Sequence, residues 1–180
     1  MSSDALLMNI FCYPGVCDRH ELSRFLGTEI TDVPQFGYRP RIPLPGGIDR
    51  TEIDMKLGTV LFEAKLTEGD FQVQDAAIME KYGNLKDVFE CGQLPRIKRG
   101  YVSYQLIRNI YAAHVLDSNF CLLIDARRPD LLESWYQIVR CIRSATLRTR
   151  CKVTTWQELS FWLPSSLRRF LDLKYGIRPE

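Results

Sequence analysis

Hydrophobic and polar positions alternate from Glu52 to Leu57, and a second alternating run follows from Val60 to Lys65. Side chains of a strand point to opposite faces with period two, so Glu52, Asp54 and Lys56 share one face while Ile53, Met55 and Leu57 share the other. In the second run Val60, Phe62 and Ala64 lie on the apolar face, and Leu61, Glu63 and Lys65 lie opposite. Gly58-Thr59 between them suits a two-residue type II′ turn, which wants glycine first. The pattern therefore predicts a β-hairpin with Leu57 facing Val60, Met55 facing Phe62 and Asp54 facing Glu63.

Elsewhere the pattern is mostly helical. Residues 3 to 12 predict a short helix with Ser3 as cap and Leu6, Leu7, Ile10 and Phe11 on its apolar side. A second helix is expected from about Asp18 to Leu26, opened by the capping-box spacing of Asp18 and Glu21 and closed by Gly27. Residues 32 to 50 hold four prolines and three glycines and read as an irregular connection, with a short edge strand around 35 to 39. After Lys65 the chain turns at Glu68-Gly69-Asp70, and weak helical pieces follow at 75 to 82 and 84 to 90. A longer helix is expected from Tyr101 to Leu116, with Tyr104, Ile107, Tyr111 and Val115 buried and Gln105, Arg108, Asn109 and Ala112 on a polar stripe. Phe120 to Ile124 is a continuous apolar run, as in a strand covered on both faces. Pro129 and the Asp130/Glu133 spacing open a helix through about Ala145. A strand at 151 to 154, a helix capped by Thr155 and Glu158, and a last helix capped by Ser165 or Ser166 and ended by Gly176 complete the chain. Strand, helix, strand, helix after a hairpin gives an α/β class with at least one parallel crossover.

Composition changes this picture little. The length of 180 residues is that of a single domain, 1–180, with a sizeable core, and the net charge of +2 does not by itself announce nucleic acid. Six cysteines without a CxxC pair read as reduced, mostly buried thiols. No stretch approaches transmembrane length and no basic leader precedes the first apolar run, so no membrane is expected and the cytoplasm is the expected compartment.

The hairpin carries the chemistry. Residues directly opposite on one face have Cβ atoms about 5 Å apart, where two carboxylates repel by roughly 3 kcal/mol at an effective dielectric near 20. Either one of them takes a proton or a cation joins them. Oxygen ligands with no nearby His or Cys favour Mg²⁺ or Mn²⁺. Lys65 follows Glu63 on the same face, where an ammonium orients a water or meets charge growing on a phosphate. Aspartate, eight residues, then Glu-Ala-Lys resembles the D…(D/E)XK signature of the PD-(D/E)XK nuclease superfamily. The resemblance implies a restriction-endonuclease-like α/β fold: a central mixed β-sheet with a catalytic hairpin, flanked by helices. It also implies that Asp54 and Glu63 ligate the metal, that the Ala64 carbonyl adds a ligand, and that Lys65 acts on the attacking water. Ile53 stands where the nominal proline of the motif would be. Bacterial restriction-endonuclease-like proteins share further pieces, which here are Ser2 to Phe11, Arg50 to Asp54 and Glu63 to Glu68.

The same resemblance implies a Gln or basic residue on the helix after the catalytic strand, for which Gln105 is the best match and Arg108 second. It also implies an acid from the first helical layer, Glu21 or Glu29. Arg96, Lys98 and Arg99 precede that helix, whose free amides would attract an anion, and Tyr101 and Tyr104 interleave with them as at nucleic-acid contacts. Arg99 and Arg108 are accordingly expected to bind substrate. Arg140, Arg143, Arg148, Arg150 and Lys152 form a second basic cluster suited to a phosphate backbone. The expected activity is a Mg²⁺- or Mn²⁺-dependent deoxyribonuclease, with DNA as partner and a homodimer compatible with it. The alternative is a catalytically inactive module of the same fold that binds nucleic acid or a protein.

Overall fold

A computed structural model describes residues 2–30, 32–98 and 100–179. Two helices, α1 (Ser3–Phe11) and α2 (His20–Leu26), come first, followed by strands β1 (Gln35–Tyr38), β2 (Ile42–Leu44), β3 (Gly47–Asp49), β4 (Ile53–Leu57), β5 (Val60–Ala64) and β6 (Val73–Asp75). Short helices α3 (Ala76–Met79) and α4 (Leu85–Val88) precede β7 (Arg96–Ile97), β8 (Gly100–Val102) and the long helix α5 (Tyr104–Val115). The chain closes with β9 (Asn119–Ile124), α6 (Pro129–Val139), α7 (Ala145–Arg150), β10 (Cys151–Thr155), α8 (Trp156–Phe161) and α9 (Ser165–Tyr175).

The central sheet has the order β1-β4-β5-β9-β10. Its first three strands run antiparallel, whereas β5, β9 and β10 run parallel, so the sheet is mixed. Alternation along the strands feeds two separate cores. Leu61, Phe120, Leu122 and Ile124 pack with Leu106, Ile107 and Ile110 of α5 and with Leu131, Trp135 and Ile138 of α6. Val60, Phe62, Cys121 and Leu123 pack on the other face with Leu6, Leu7 and Ile10 of α1, Trp156 and Leu159 of α8, and Leu167 and Leu171 of α9. The α/β class with a mixed sheet between helices is thus observed, and β9 is covered on both faces as its apolar run predicts.

Several local expectations give way. Asp18 does not cap α2, whose N-cap is Arg19 without a side-chain bond. The proline-rich connection folds its middle into the β2–β3 hairpin. The expected helix from 129 to 145 ends at Val139, because Ile142 bridges to Phe89 and Ser144 then caps α7 as a separate helix. Pro164, not a serine, precedes α9. By contrast, Thr155 and Glu158 form both halves of the capping box at α8, and Gly176 closes α9 in the left-handed conformation. All six cysteines are free; Cys121, Cys141 and Cys151 are buried, whereas Cys12 is exposed and Cys17 and Cys91 are half-buried. No helix among the described residues is long and apolar enough to cross a membrane.

Candidate active site

The hairpin of β4 and β5 has the expected register, with Leu57 opposite Val60, Lys56 opposite Leu61 and Met55 opposite Phe62. Gly58 adopts φ +54°, and a Cβ there would lie 2.7 Å from the carbonyl oxygen of Glu29, so glycine is required both by the turn and by a close approach. Past Met55 the ladder opens. Continuing the register would pair Ala64 with Ile53, but the Ala64 amide donates instead to Asp54 Oδ2 at 2.7 Å. Ile53, released from that rung, packs into the core on the opposite face from Met55 and Leu57.

This opening brings three ionisable side chains together. Glu63 is fully buried and Lys65 is 7% exposed. The Lys65 ammonium lies 2.7 Å from Glu63 Oε1, an ion-pair contact without hydrogen-bond alignment, since Oε1 has no hydrogen-bond partner among the described residues. Glu63 Oε2 accepts from Asn109 Nδ2 at 2.6 Å. Burial pushes the Asp54 carboxyl up to about 7, and the charge of Glu63 adds to the rise; the Ala64 amide and Lys65 oppose it, and Asp4 raises it further. Glu63 is therefore near enough to act on Asp54, although burial is the larger cause. Lys65 is fixed by its surroundings: its amide donates to the Leu123 carbonyl at 2.8 Å, its carbonyl accepts from the Trp156 indole at 2.9 Å, and its ammonium lies 5.6 Å from the Phe71 ring centre.

A cavity of about 220 Å³ opens beside Asp54, lined by Asp4, Leu7, Met8, Phe36, Gly37 and Glu52. Asp4, and neither Glu21 nor Glu29, is thus the acid of the first helical layer that lines this cavity. The Glu29 carbonyl sits against Gly58, at the turn end of the hairpin, roughly 13 Å along the strand from Asp54, and Glu21 is exposed on α2. A larger hollow of about 780 Å³, lined by Cys17, His20, Arg24 and Glu29 among others, lies at that turn end, apart from the buried acids.

Glu68 holds Asp4 in place. Its Oε1 accepts from the Ser3 amide at 3.2 Å and the Ser3 hydroxyl at 2.7 Å, and its Oε2 accepts from the Leu66 amide at 2.6 Å. The start of α1 is thereby latched to the chain three residues past Lys65. Partial burial pushes this carboxyl upward, but the Leu66 and Ser3 bonds dominate and hold it at about 2, below its ordinary 4.5. A depressed carboxyl contributes stability above its unfolded value and loses it as pH falls through the folded one. Glu68→Ala is therefore expected to lose about 1–3 kcal/mol at pH 7. In urea unfolding, its difference from wild type should shrink as pH drops from 4.5 toward 2; a constant difference would show that the latch is not ionic.

Other expected site residues fall elsewhere. Gln105 lies on α5 one turn before Asn109; its amide donates to the Phe71 carbonyl at 3.0 Å and its buried Oε1 has no hydrogen-bond partner. The side chain of α5 that reaches Glu63 is Asn109, not Gln105. Arg108 is turned inward at 5% exposure, with donors on the Glu52 carbonyl and Asn109 Oδ1, so it presents no surface cation to a phosphate. Arg99 lies outside the described residues. The amides of Tyr104 and Gln105 are taken by the carbonyls of Gln72 and Phe71, which removes the expected anion site at the start of α5. Tyr101 and Tyr104 belong to the core, with the Arg96 guanidinium 4.1 Å above the Tyr101 ring. In the second basic cluster Arg143 pairs with Glu90, Arg148 with the Ile142 carbonyl, Arg150 with Asp117 and Lys152 with the Leu26 carbonyl. Arg140 is exposed.

The model of one protein family, described as restriction endonuclease associating with ARP, matches residues 1–176. The chain belongs to this family. No curated protein and no solved structure matches it. In this restriction-endonuclease family member, no group of three or more His, Cys, Asp or Glu side chains among the described residues is arranged to hold a metal ion. Two carboxylates do stand close together, Glu63 fully buried and Asp54 half-buried. That suits a hard cation such as Mg²⁺, which keeps several waters and takes one or two carboxylates from the protein. Glu63 Oε1, which is buried, has no hydrogen bond among the described residues and lies 2.7 Å from the Lys65 ammonium, is the atom that such an ion would also meet.

Proposed function

We propose that the chain is a divalent-metal-dependent nuclease of the PD-(D/E)XK type that hydrolyses phosphodiester bonds of DNA. One observation carries this reading: Asp54 and Glu63 are driven together at the opened end of a hairpin, with the Lys65 ammonium 2.7 Å from Glu63. Asp54, Glu63 and the carbonyl of Ala64 would hold Mg²⁺ or Mn²⁺, with Asp4 across the adjoining cavity. When bound, such an ion would supply a Lewis acid and would lower the pKa of a bound water. Lys65, fixed by the Leu123 and Trp156 contacts, orients the attacking water and meets the negative charge that grows on the phosphoryl group. The water oxygen bonds to phosphorus as the bridging P–O bond breaks, its proton passing to bulk solvent and the departing sugar oxygen taking a proton from a second water, with no covalent bond to the protein. Arg50, exposed four residues before Asp54, is a cation available to a phosphate backbone.

The second reading is a nuclease fold used only for binding, to nucleic acid or to a protein such as the ARP in the family's description. It is favoured by the lack of a third clustered metal-type ligand among the described residues. Purified protein incubated with Mn²⁺ and linear, circular or single-stranded DNA separates the two. Cleavage that EDTA abolishes, with a melting temperature raised by Mn²⁺, is the expected result. Neither response would leave the binding reading.

A further inference from the structure

Arg108 is a buried arginine, a rarity unless its donors are matched. Its Nε and Nη2 both donate to Asn109 Oδ1, at 3.0 and 2.8 Å, and Nη2 also donates to the Glu52 carbonyl at 2.8 Å. The guanidinium lies 5.8 Å from the Tyr104 ring centre. Arginine can only donate and an ionised carboxylate can only accept. The Asn109 amide between them therefore has one chemically allowed orientation, oxygen toward Arg108 and nitrogen toward Glu63. The resulting chain runs from the residue before β4, through two neighbours on α5, to the acid of β5. It reaches the two halves of the opened hairpin from outside their own ladder, at the point where main-chain pairing stops.

We propose that Asn109, oriented by Arg108, is a positioning residue that holds Glu63 Oε2, so that Oε1 is presented to the space shared with Asp54 and Lys65. This rests on the metal site proposed above and assigns the feature that sets its affinity. Glu63 has several rotatable bonds, and a carboxylate repelled by Asp54 would turn away from it unless restrained. A donor on Oε2 at 2.6 Å adds to the restraint and leaves Oε1, 2.7 Å from the Lys65 ammonium, facing the space where a cation would bind. Polar partners behind metal-ligating side chains tune affinity in this way.

The test compares wild type with Asn109→Leu, which is similar in size but has no donor, with Arg108→Lys, whose single ammonium cannot fix the amide and the Glu52 carbonyl together, and with the double variant. Mn²⁺ dissociation is measured by calorimetry on protein shown to be folded by circular dichroism, and cleavage is followed against Mn²⁺ concentration. Each single variant is expected to bind Mn²⁺ about tenfold more weakly, with most of the cleavage rate recovered at saturating Mn²⁺. The double variant should be no weaker than the worse single one, because both changes break one chain. Unchanged Mn²⁺ affinity with a lowered melting temperature would make the contacts purely structural and overturn the proposal, as would additive losses. Wild type that binds no Mn²⁺ removes the metal site and the positioning role together, whereas wild type that binds while Asn109→Leu binds equally well removes the positioning role alone. Arg108→Lys keeps the question decidable if Asn109→Leu does not fold.

Discussion

Lys65→Met is expected to lower DNA cleavage by about 100- to 1000-fold at saturating Mn²⁺ and to destabilise the metal-free protein. Methionine retains the length and packing of the stem while removing the charge. The ammonium lies 2.7 Å from Glu63, and both side chains are almost wholly buried. Its loss leaves Glu63 buried without its cation and beside Asp54, and breaking a buried pair in this way costs about 3–5 kcal/mol. Two measurements separate the chemical role from the structural one. Urea unfolding without metal should show the loss at pH 8 and a smaller loss on acidification through about pH 7, as Asp54 takes its proton. Turnover at saturating Mn²⁺, on protein verified as folded, should stay low, since the ion cannot replace an amine beside the attacking water. A variant that cuts at the wild-type rate would remove Lys65 from the chemistry while leaving its structural role intact.

Asp54→Asn is expected to abolish the response to metal while making the metal-free protein more stable at pH 8, by a few kcal/mol in order of magnitude. The folded carboxyl sits at about 7 against an ordinary 3.8, raised first by burial and then by Glu63. Between those values the native state binds more protons than the unfolded chain, so this group's contribution is complete below about pH 4 and is lost as pH rises through 7. Asparagine cannot ionise, yet its oxygen can still accept from the Ala64 amide. The stability difference, variant minus wild type, should therefore grow from pH 4 to pH 8. Taking the difference cancels the opposite slope of depressed carboxyls such as Glu68 and Asp125. An asparagine variant less stable than wild type at pH 8 would mean that the carboxylate contributes more through Ala64 than it loses to Glu63.

The hairpin could be read from sequence because its determinants are local: a glycine that a turn demands, alternation over a few residues, and a register that both fix. The capping box at Thr155 and Glu158 was legible for the same reason. What escaped depends on long-range closure. Asp4 looks like an ordinary acid in the first turn of a helix, and it lies beside Asp54 because α1 packs on the sheet and its start is tied through Ser3 to Glu68, 65 residues away. The polar stripe on α5 was visible, but its periodicity could not say which member reaches the acids. Asn109 does so through Glu63, 46 residues away, and Arg108 beside it turns inward because an acceptor exists at Glu52. The small sheet of β6, β8 and β7 was missed because its strands have only two or three residues each, too short for alternation to register.

The last rung of the hairpin is closed by the side chain of Asp54 on the Ala64 amide, and not by main chain against main chain. Filling and emptying the site can then exchange a single contact while the rest of the five-stranded framework stays zipped. In the proposed nuclease, a scaffold of this kind would let an acid trade partners without loosening the layers that aim it.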